Sequence, residues 1–231
     1  WCGYEVYCWF NVRTYRQALI VIVGALLAVS YFGLRGGFHF HLDRYAHFSQ
    51  PIEGLRSGNL ETATLAAGCF WCVEEDFDSL TGVLRTTSGY TGGDTVSPTY
   101  TEVLSGQTGH TEAVEILYDP LRISYQQLLD HYWKNVDPHE GERQFCDIGK
   151  QYRPVIFHHT KQQLELAVAS KAAVESKFGT KVAVQVIAAG PFYAAETHHQ
   201  NYAEAHPVRY WYYRWACGRD QRLSELWASD S

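Results

Sequence analysis

Methionine is absent from all 231 residues, position 1 included, so the first residue is read neither as a native start nor as a mature end. Positive charge is also scarce. Lysine and arginine total 19 against 25 aspartate and glutamate, a formal net charge of −6, and no basic stripe runs along the chain. A nucleic-acid partner is thereby excluded, because nothing is placed to neutralise a run of phosphates. No internal repeat or low-complexity tract appears, which excludes repeat architectures. Only one CxxC pair occurs, so a zinc module built on Cys69, Cys72, Cys146 and Cys217 is a poor fit to the usual paired spacing. Tryptophan and tyrosine are plentiful, and most of them are expected to pack the core.

Long apolar runs are limited to one, from residue 18 to about residue 34, preceded by Arg13 and Arg16. As a helix it would span about 25 Å, short of a bilayer core of about 30 Å but within reach of a thin membrane. Ala28-Val29-Ser30 also offers a small-x-small cleavage site. A membrane anchor and a signal peptide both fit, while the lack of an amphipathic stripe argues against a buried core helix. The expected organisation is an anchor or signal segment over 1–35, a His-, Gly- and Ser-containing linker over 36–61, and one folded domain over 62–231. Such a domain would be exported or membrane-anchored if the N-terminal segment is native, and cytoplasmic otherwise.

Within 62–231 the pattern reads as strand 62–67, a helix behind Cys69, strand 83–89, a Gly-, Thr- and Pro-rich loop holding Tyr100, and strand 111–118. Ser124 with Gln127 resembles a capping box for the next helix, followed by strand 155–158. Thr160 with Gln163 opens a further helix that Gly179 closes, and strand 182–187 is the last. This order predicts an α+β fold, a ferredoxin-like two-layer sandwich with helices on one face of a mixed sheet. Everything after Gly190 reads as a long loop-rich C-terminal tail.

Two residues stand out chemically. Cys69 follows Gly68 at a helix start, where unpaired backbone N–H groups and the helix dipole favour a thiolate. Cys72 lies three residues on, near enough on a helix for the two sulfurs to meet. Glu112 shares a strand face with Val114, Ile116 and Tyr118, so its carboxyl falls on the apolar side. Desolvation there should raise its pKa and make it a proton donor near neutral pH.

Six motifs occur in one order: Gly-Cys-Phe-Trp-Cys-Val-Glu (68–74), Gly-Tyr-Thr-Gly-Gly (89–93), Pro-Thr-Tyr (98–100), Gly-His-Thr-Glu-Ala-Val (109–114), Gln-Tyr-Arg (151–153) and Gly-Pro-Phe-Tyr (190–193). On these the chain resembles the A-class peptide methionine sulfoxide reductases from about Thr62 to Trp227. The resemblance implies thiol-dependent reduction of peptide-bound and free methionine (S)-sulfoxide, repairing oxidised proteins, with no metal and no cofactor. It makes Cys69 the nucleophile and Glu112 the proton donor to the leaving oxygen. Tyr100 and Tyr152 would donate hydrogen bonds to that oxygen, Asp147 would help hold the polar pocket, and Phe70 and Trp71 would box the substrate methyl group. His198-His199-Gln200 stands where many members have Tyr-His-Gln.

A sulfenic acid at Cys69 would be resolved into a disulfide by a second thiol. Cys72 and Cys217 are the candidates, with Cys146 a third and Cys2 and Cys8 outside the resemblance. The usual electron donor of the family is thioredoxin, and an exported domain would need a thioredoxin-like donor on the far side of the membrane. A plain thiol-disulfide exchanger is the remaining rival, and it leaves Glu112, Tyr100 and Tyr152 without a purpose.

Overall fold

The structure, a computed structural model, describes residues 60–228. The expected anchor or signal segment and nearly all of the linker lie outside the described residues. In chain order the elements are β1 (Glu61–Ala66), α1 (Phe70–Asp78), β2 (Val83–Thr91), α2 (Tyr100–Leu104), β3 (Thr111–Tyr118), α3 (Tyr125–Lys134), β4 (Arg143–Gln144), β5 (Asp147–Ile148), β6 (Val155–His158), α4 (Lys161–Phe178), β7 (Gln185–Ala188), β8 (Tyr193–Ala194), α5 (Tyr202–Ala205), α6 (Pro207–Ala216) and α7 (Arg219–Trp227).

Six strands form one mixed sheet in the order β7-β6-β1-β3-β2-β8. Both β1 and β2 run antiparallel to β3 between them, so β1-α1-β2 is a split β-α-β unit. The pair β6 and β7 is parallel, joined through α4. Side chains alternate across this sheet as strand geometry requires. Ala63, Leu65, Val114, Ile116, Tyr118 and Ile156 face Phe70, Val73 and Phe77 of α1 and Leu128, Leu129 and Tyr132 of α3 in the main core. The opposite face is thinner, with Ala66, Ala113, Val155 and Phe157 beneath Ile187, Ala189 and Phe192. The two-layer α+β reading therefore holds.

Local chemistry explains the boundaries. Gly68 has φ 90°, and a Cβ there would sit 2.6 Å from the Gln144 Cβ, so only glycine turns the chain from β1 into α1. Ser124 and Thr160 accept the Gln127 and Gln163 amides at their helix starts, and Gly179 ends α4 with φ 66°. The loop expected around Tyr100 holds a short helix, α2, opened by a capping box between Thr99 and Glu102.

The tail after Gly190 is mainly helical, which corrects the expectation of a loop-rich segment. Pro207 starts α6, and Gly218, with φ 68°, turns the chain between α6 and α7. The pattern is hidden because both faces of α6 are aromatic: Tyr210 is buried, while Trp211, Tyr212 and Trp215 are exposed. Arg219 pins the tail to the domain. Its side chain is 1% exposed and its guanidinium donates to Ala67 O at 3.1 Å, Asn135 O at 2.6 Å and Asp76 Oδ2 at 3.1 Å.

Removing that guanidinium would leave two carbonyls and part of a buried carboxylate without a partner. Arg219→Gln should lower the unfolding free energy by about 3 kcal/mol, the lower end for breaking a buried pair, because Arg214 still contacts Asp76. Urea denaturation checks this, and a loss below about 1 kcal/mol would show the tail to be held by packing alone.

Candidate active site

At the C-terminal end of β1 the chain turns at Gly68 and sets Cys69 as the N-cap of α1, with Cys72 in the first turn. Both cysteines are free, and they are 6% and 2% exposed. The two thiols share one buried cluster with Tyr210. Burial, the neighbouring Cys72 thiol and the carboxyls of Glu112 and Asp147 push the Cys69 thiol well above the ordinary cysteine value. Cys72 is drawn down, first by the adjacent Cys69 thiol and then, against burial, by the nearby Arg219 and Arg214.

The helix start therefore does not produce a resting thiolate at Cys69. The Phe70 amide, which the thiolate argument left free, donates to Glu112 Oε2 at 3.0 Å, and the Cys72 and Val73 amides bond the Cys69 carbonyl. Glu112 is 2% exposed on β3. Burial pushes its pKa to about 8 against the Phe70 hydrogen bond, with Asp147 and Cys72 adding to the rise. The carboxyl is mostly protonated at neutral pH.

Tyr100 at the start of α2 and Tyr152, which ends a short turn of helix over Lys150–Tyr152, both lie half-buried around this carboxyl. Burial pushes the Tyr100 hydroxyl to about 12 and the Tyr152 hydroxyl higher, and the charges of Glu112, Asp147 and Cys69 contribute at each. Asp147 on β5 is raised chiefly by burial, and its Oδ2 accepts the Tyr213 hydroxyl at 2.6 Å. Cys69, Glu112, Tyr100, Tyr152 and Asp147 thus form one electrostatically linked group.

Phe70 is 1% exposed, with ring centroids 6.4 Å from Trp71 and 6.5 Å from Tyr100. Trp71 is half-buried, stacked on Tyr202 at 3.7 Å, and its indole N–H donates to His199 Nδ1 at 3.1 Å. Sequence reasoning missed several supporting groups here. His199 lies 4.5 Å from the Tyr100 ring and 5.2 Å from the Phe70 ring. Glu196 accepts the Tyr90 hydroxyl and the Tyr100 amide, both at 2.8 Å. Their only sequence signal was the segment 198–200, where Gln200 fixes the loop by exchanging hydrogen bonds with the Ser88 backbone.

The tail closes over this group. Tyr210 packs on Cys69 and Cys72, with Trp71, Tyr202 and Tyr213 around them. Cys217, one candidate for the second thiol, is instead disulfide-bonded to Cys146. The Cys146 and Cys217 sulfurs lie within 4.8 Å of an Asp147 carboxylate oxygen. Because those sulfurs are bonded to each other, they do not join Cys69 and Cys72 in a four-thiolate set.

The family model described as peptide methionine sulfoxide reductase matches residues 61–231. A Vibrio cholerae peptide methionine sulfoxide reductase MsrA/MsrB is 43% identical over 75% of this chain and 47% of that protein, so the chain spans about half its length. The MsrA of Bacillus licheniformis is 46% identical over 72% of this chain and 93% of that protein. Among solved structures, methionine sulfoxide reductase A of Corynebacterium diphtheriae is 32% identical with a TM-score of 0.60, over 66% of this chain and 77% of that one. Reduced Mxr1 of Saccharomyces cerevisiae is 30% identical with a TM-score of 0.61, over 64% and 86%. With its buried cysteine pair set beside a neutral carboxyl, the chain belongs to the A class of the peptide methionine sulfoxide reductases, thiol-dependent oxidoreductases.

Proposed function

We propose that this chain reduces the S epimer of methionine sulfoxide, free or in oxidised proteins and peptides, with Cys69 as nucleophile and Glu112 as proton donor. The observation that carries this reading is the Cys69 thiol buried beside a carboxyl whose pKa burial raises to about 8. Sulfur attack on the sulfoxide sulfur breaks the S–O bond, and the oxygen gains basicity as the bond opens. Glu112 gives it a proton and recovers one from the thiol, the oxygen leaves as hydroxide, and hydroxide then attacks the Cys69 sulfur and breaks its new S–S bond to expel R₂S, so that in sum Cys69–SH and R₂S=O become Cys69–SOH and R₂S. Tyr100 and Tyr152 steady the oxygen with hydrogen bonds, Asp147 orders the polar side of the pocket, and Phe70 with Trp71 receives the methyl group.

Cys72 then attacks the sulfenic sulfur, expelling hydroxide that leaves as water, and a Cys69–Cys72 disulfide forms. Its place beside Cys69 in one buried cluster and the nearby arginines support Cys72 over Cys217, which is already paired. Thioredoxin or a thioredoxin-like dithiol supplies the electrons. The apolar run at 18–34 supports an exported or membrane-anchored placement of the domain.

The purified chain with dithiothreitol should reduce the S epimer and leave the R epimer, followed by chromatography of methionine. Equal rates on both epimers, or none on either, would sink the assignment. Cys69→Ser should abolish turnover, since a serine hydroxyl is far too weak a nucleophile at this pH.

Glu112→Gln keeps the shape and can still face the Phe70 amide through its carbonyl, but it cannot give up a proton. Single-turnover methionine formation should slow by about 10²–10⁴-fold. The protonated form is the active one, so the wild-type rate should fall as pH rises through about 8, and the variant should lack that limb. A near-normal single-turnover rate in Glu112→Gln would assign the carboxyl a structural role.

A further inference from the structure

Two groups that would act on one oxygen stand on different elements. Glu112 lies on β3, whereas Tyr100 opens α2 after the stretch 92–99. That stretch takes left-handed backbone at Gly92, with φ 79°, and at Ser97, with φ 50°, and its Val96 is 77% exposed. The buried Val103 anchors the far end of α2 in the core, and the capping box occupies the Thr99 and Glu102 amides. The Tyr100 amide instead donates to Glu196 Oε1 at 2.8 Å.

The second oxygen of the same carboxylate accepts the Tyr90 hydroxyl, also at 2.8 Å. Tyr90 is fully buried on β2, directly across the ladder from Glu112, and Cβ atoms so placed in antiparallel strands lie about 5 Å apart. Its ring is 5.9 Å from the Phe70 ring, and Phe70 is the residue whose amide bonds Glu112. One carboxylate therefore joins the strand neighbour of the acid to the turn that carries the oxygen donor. Glu196 is itself held to the edge of β2. The Ala195 amide donates to the Ser88 carbonyl at 2.9 Å, and the Gln200 side chain bonds the Ser88 amide, the Ser88 carbonyl and the Ala195 carbonyl. Against its partial burial, the bonds from Tyr100 and Tyr90 keep the Glu196 carboxyl below the usual range, so it is an anion at neutral pH.

We propose that Glu196 is a positioning residue for the sulfoxide step: its carboxylate fixes Tyr100 against Tyr90, and so sets where the Tyr100 hydroxyl meets the oxygen that Glu112 protonates. The proposal rests on the reading of Tyr100 as a donor to that oxygen and goes beyond it. Glu196 moves no proton and forms no bond in the reaction, and it acts through Tyr100. A hydrogen bond to the departing oxygen strengthens as the S–O bond opens, so a displaced Tyr100 costs rate rather than ground-state binding. A misplacement of about 1 Å is enough to slow a step by about 10²-fold. The methyl box has its own supports, the Trp71 bond to His199 and the Trp71 stack on Tyr202, so binding is spared.

Methionine formation in a single turnover tests this. The full chain is reduced, freed of reductant under anaerobic conditions and mixed by quenched flow with N-acetylmethionine (S)-sulfoxide over a range of concentrations. Glu196→Ala should slow the saturated rate by about 10–10²-fold and leave the half-saturating concentration within about twofold. Tyr100→Phe should slow it at least as much, and adding Glu196→Ala to Tyr100→Phe should cost less than about twofold more. Glu196→Gln, whose carbonyl can accept the Tyr100 amide, should stay within about threefold of the parent chain. Where Glu196→Ala fails to fold, Tyr90→Phe takes its place in the cycle. It keeps the core ring, cuts one arm of the clamp and should slow the rate by at least about threefold, again only where Tyr100 is present. An unchanged rate in the alanine variant, or a raised half-saturating concentration at an unchanged rate, overturns the positioning role. So does a full additional loss in the Tyr100→Phe background, or a glutamine variant as slow as the alanine one. A Tyr100→Phe chain as fast as the parent would instead refute the reading of Tyr100, and a parent that forms no methionine would refute that of Cys69, so these failures are distinguishable.

Discussion

The hydrogen bond from the Phe70 amide to the Glu112 carboxyl is the constraint on which the site depends. It ties the first turn of α1 to the middle strand of a split β-α-β unit, and it spends on Glu112 the helix-start N–H that would otherwise favour a thiolate at Cys69. Burial at the same point keeps Glu112 largely protonated and holds Cys69 as a thiol. Nucleophile and acid are therefore both neutral at rest. That suits a reaction in which one proton leaves sulfur, another reaches oxygen, and no net charge has to be created in a dry pocket.

Dryness in turn depends on the tail. Its helices are held by charge as well as by apolar contact: Asp76 on α1 takes both Arg214 and the fully buried Arg219, while Arg214 also pairs with Asp220. The same two arginines lower the Cys72 thiol. The ion cluster that fastens the tail thus prepares the second sulfur of the buried pair. Packing and chemistry at this place are one arrangement, and a change to either arginine acts on both.

The sheet and its helices were legible because strand residues alternate between the main core and a thinner opposite face, and α3 and α4 carry N-cap side chains. Glu112 was the clearest case, a carboxyl on the parity of 111–118 that faces the main core with Val114, Ile116 and Tyr118. The tail was not legible. With Trp211, Tyr212 and Trp215 outward and Tyr210 inward, α6 lacks the contrast on which periodicity relies. The state of Cys69 was misjudged because the partner that takes the Phe70 amide lies 42 residues away and is joined only by the sheet. Likewise the Cys146–Cys217 bond spans 71 residues, and nothing local in either motif announces it.

A buried reducing centre must be closed to water while oxygen leaves sulfur, yet open to an electron source between turnovers. Here Tyr210 and Tyr213 meet the first demand by packing over both buried thiols. The second cannot be met at the same place unless the tail lifts off, and Arg219 anchors α7 through two carbonyls and a carboxylate.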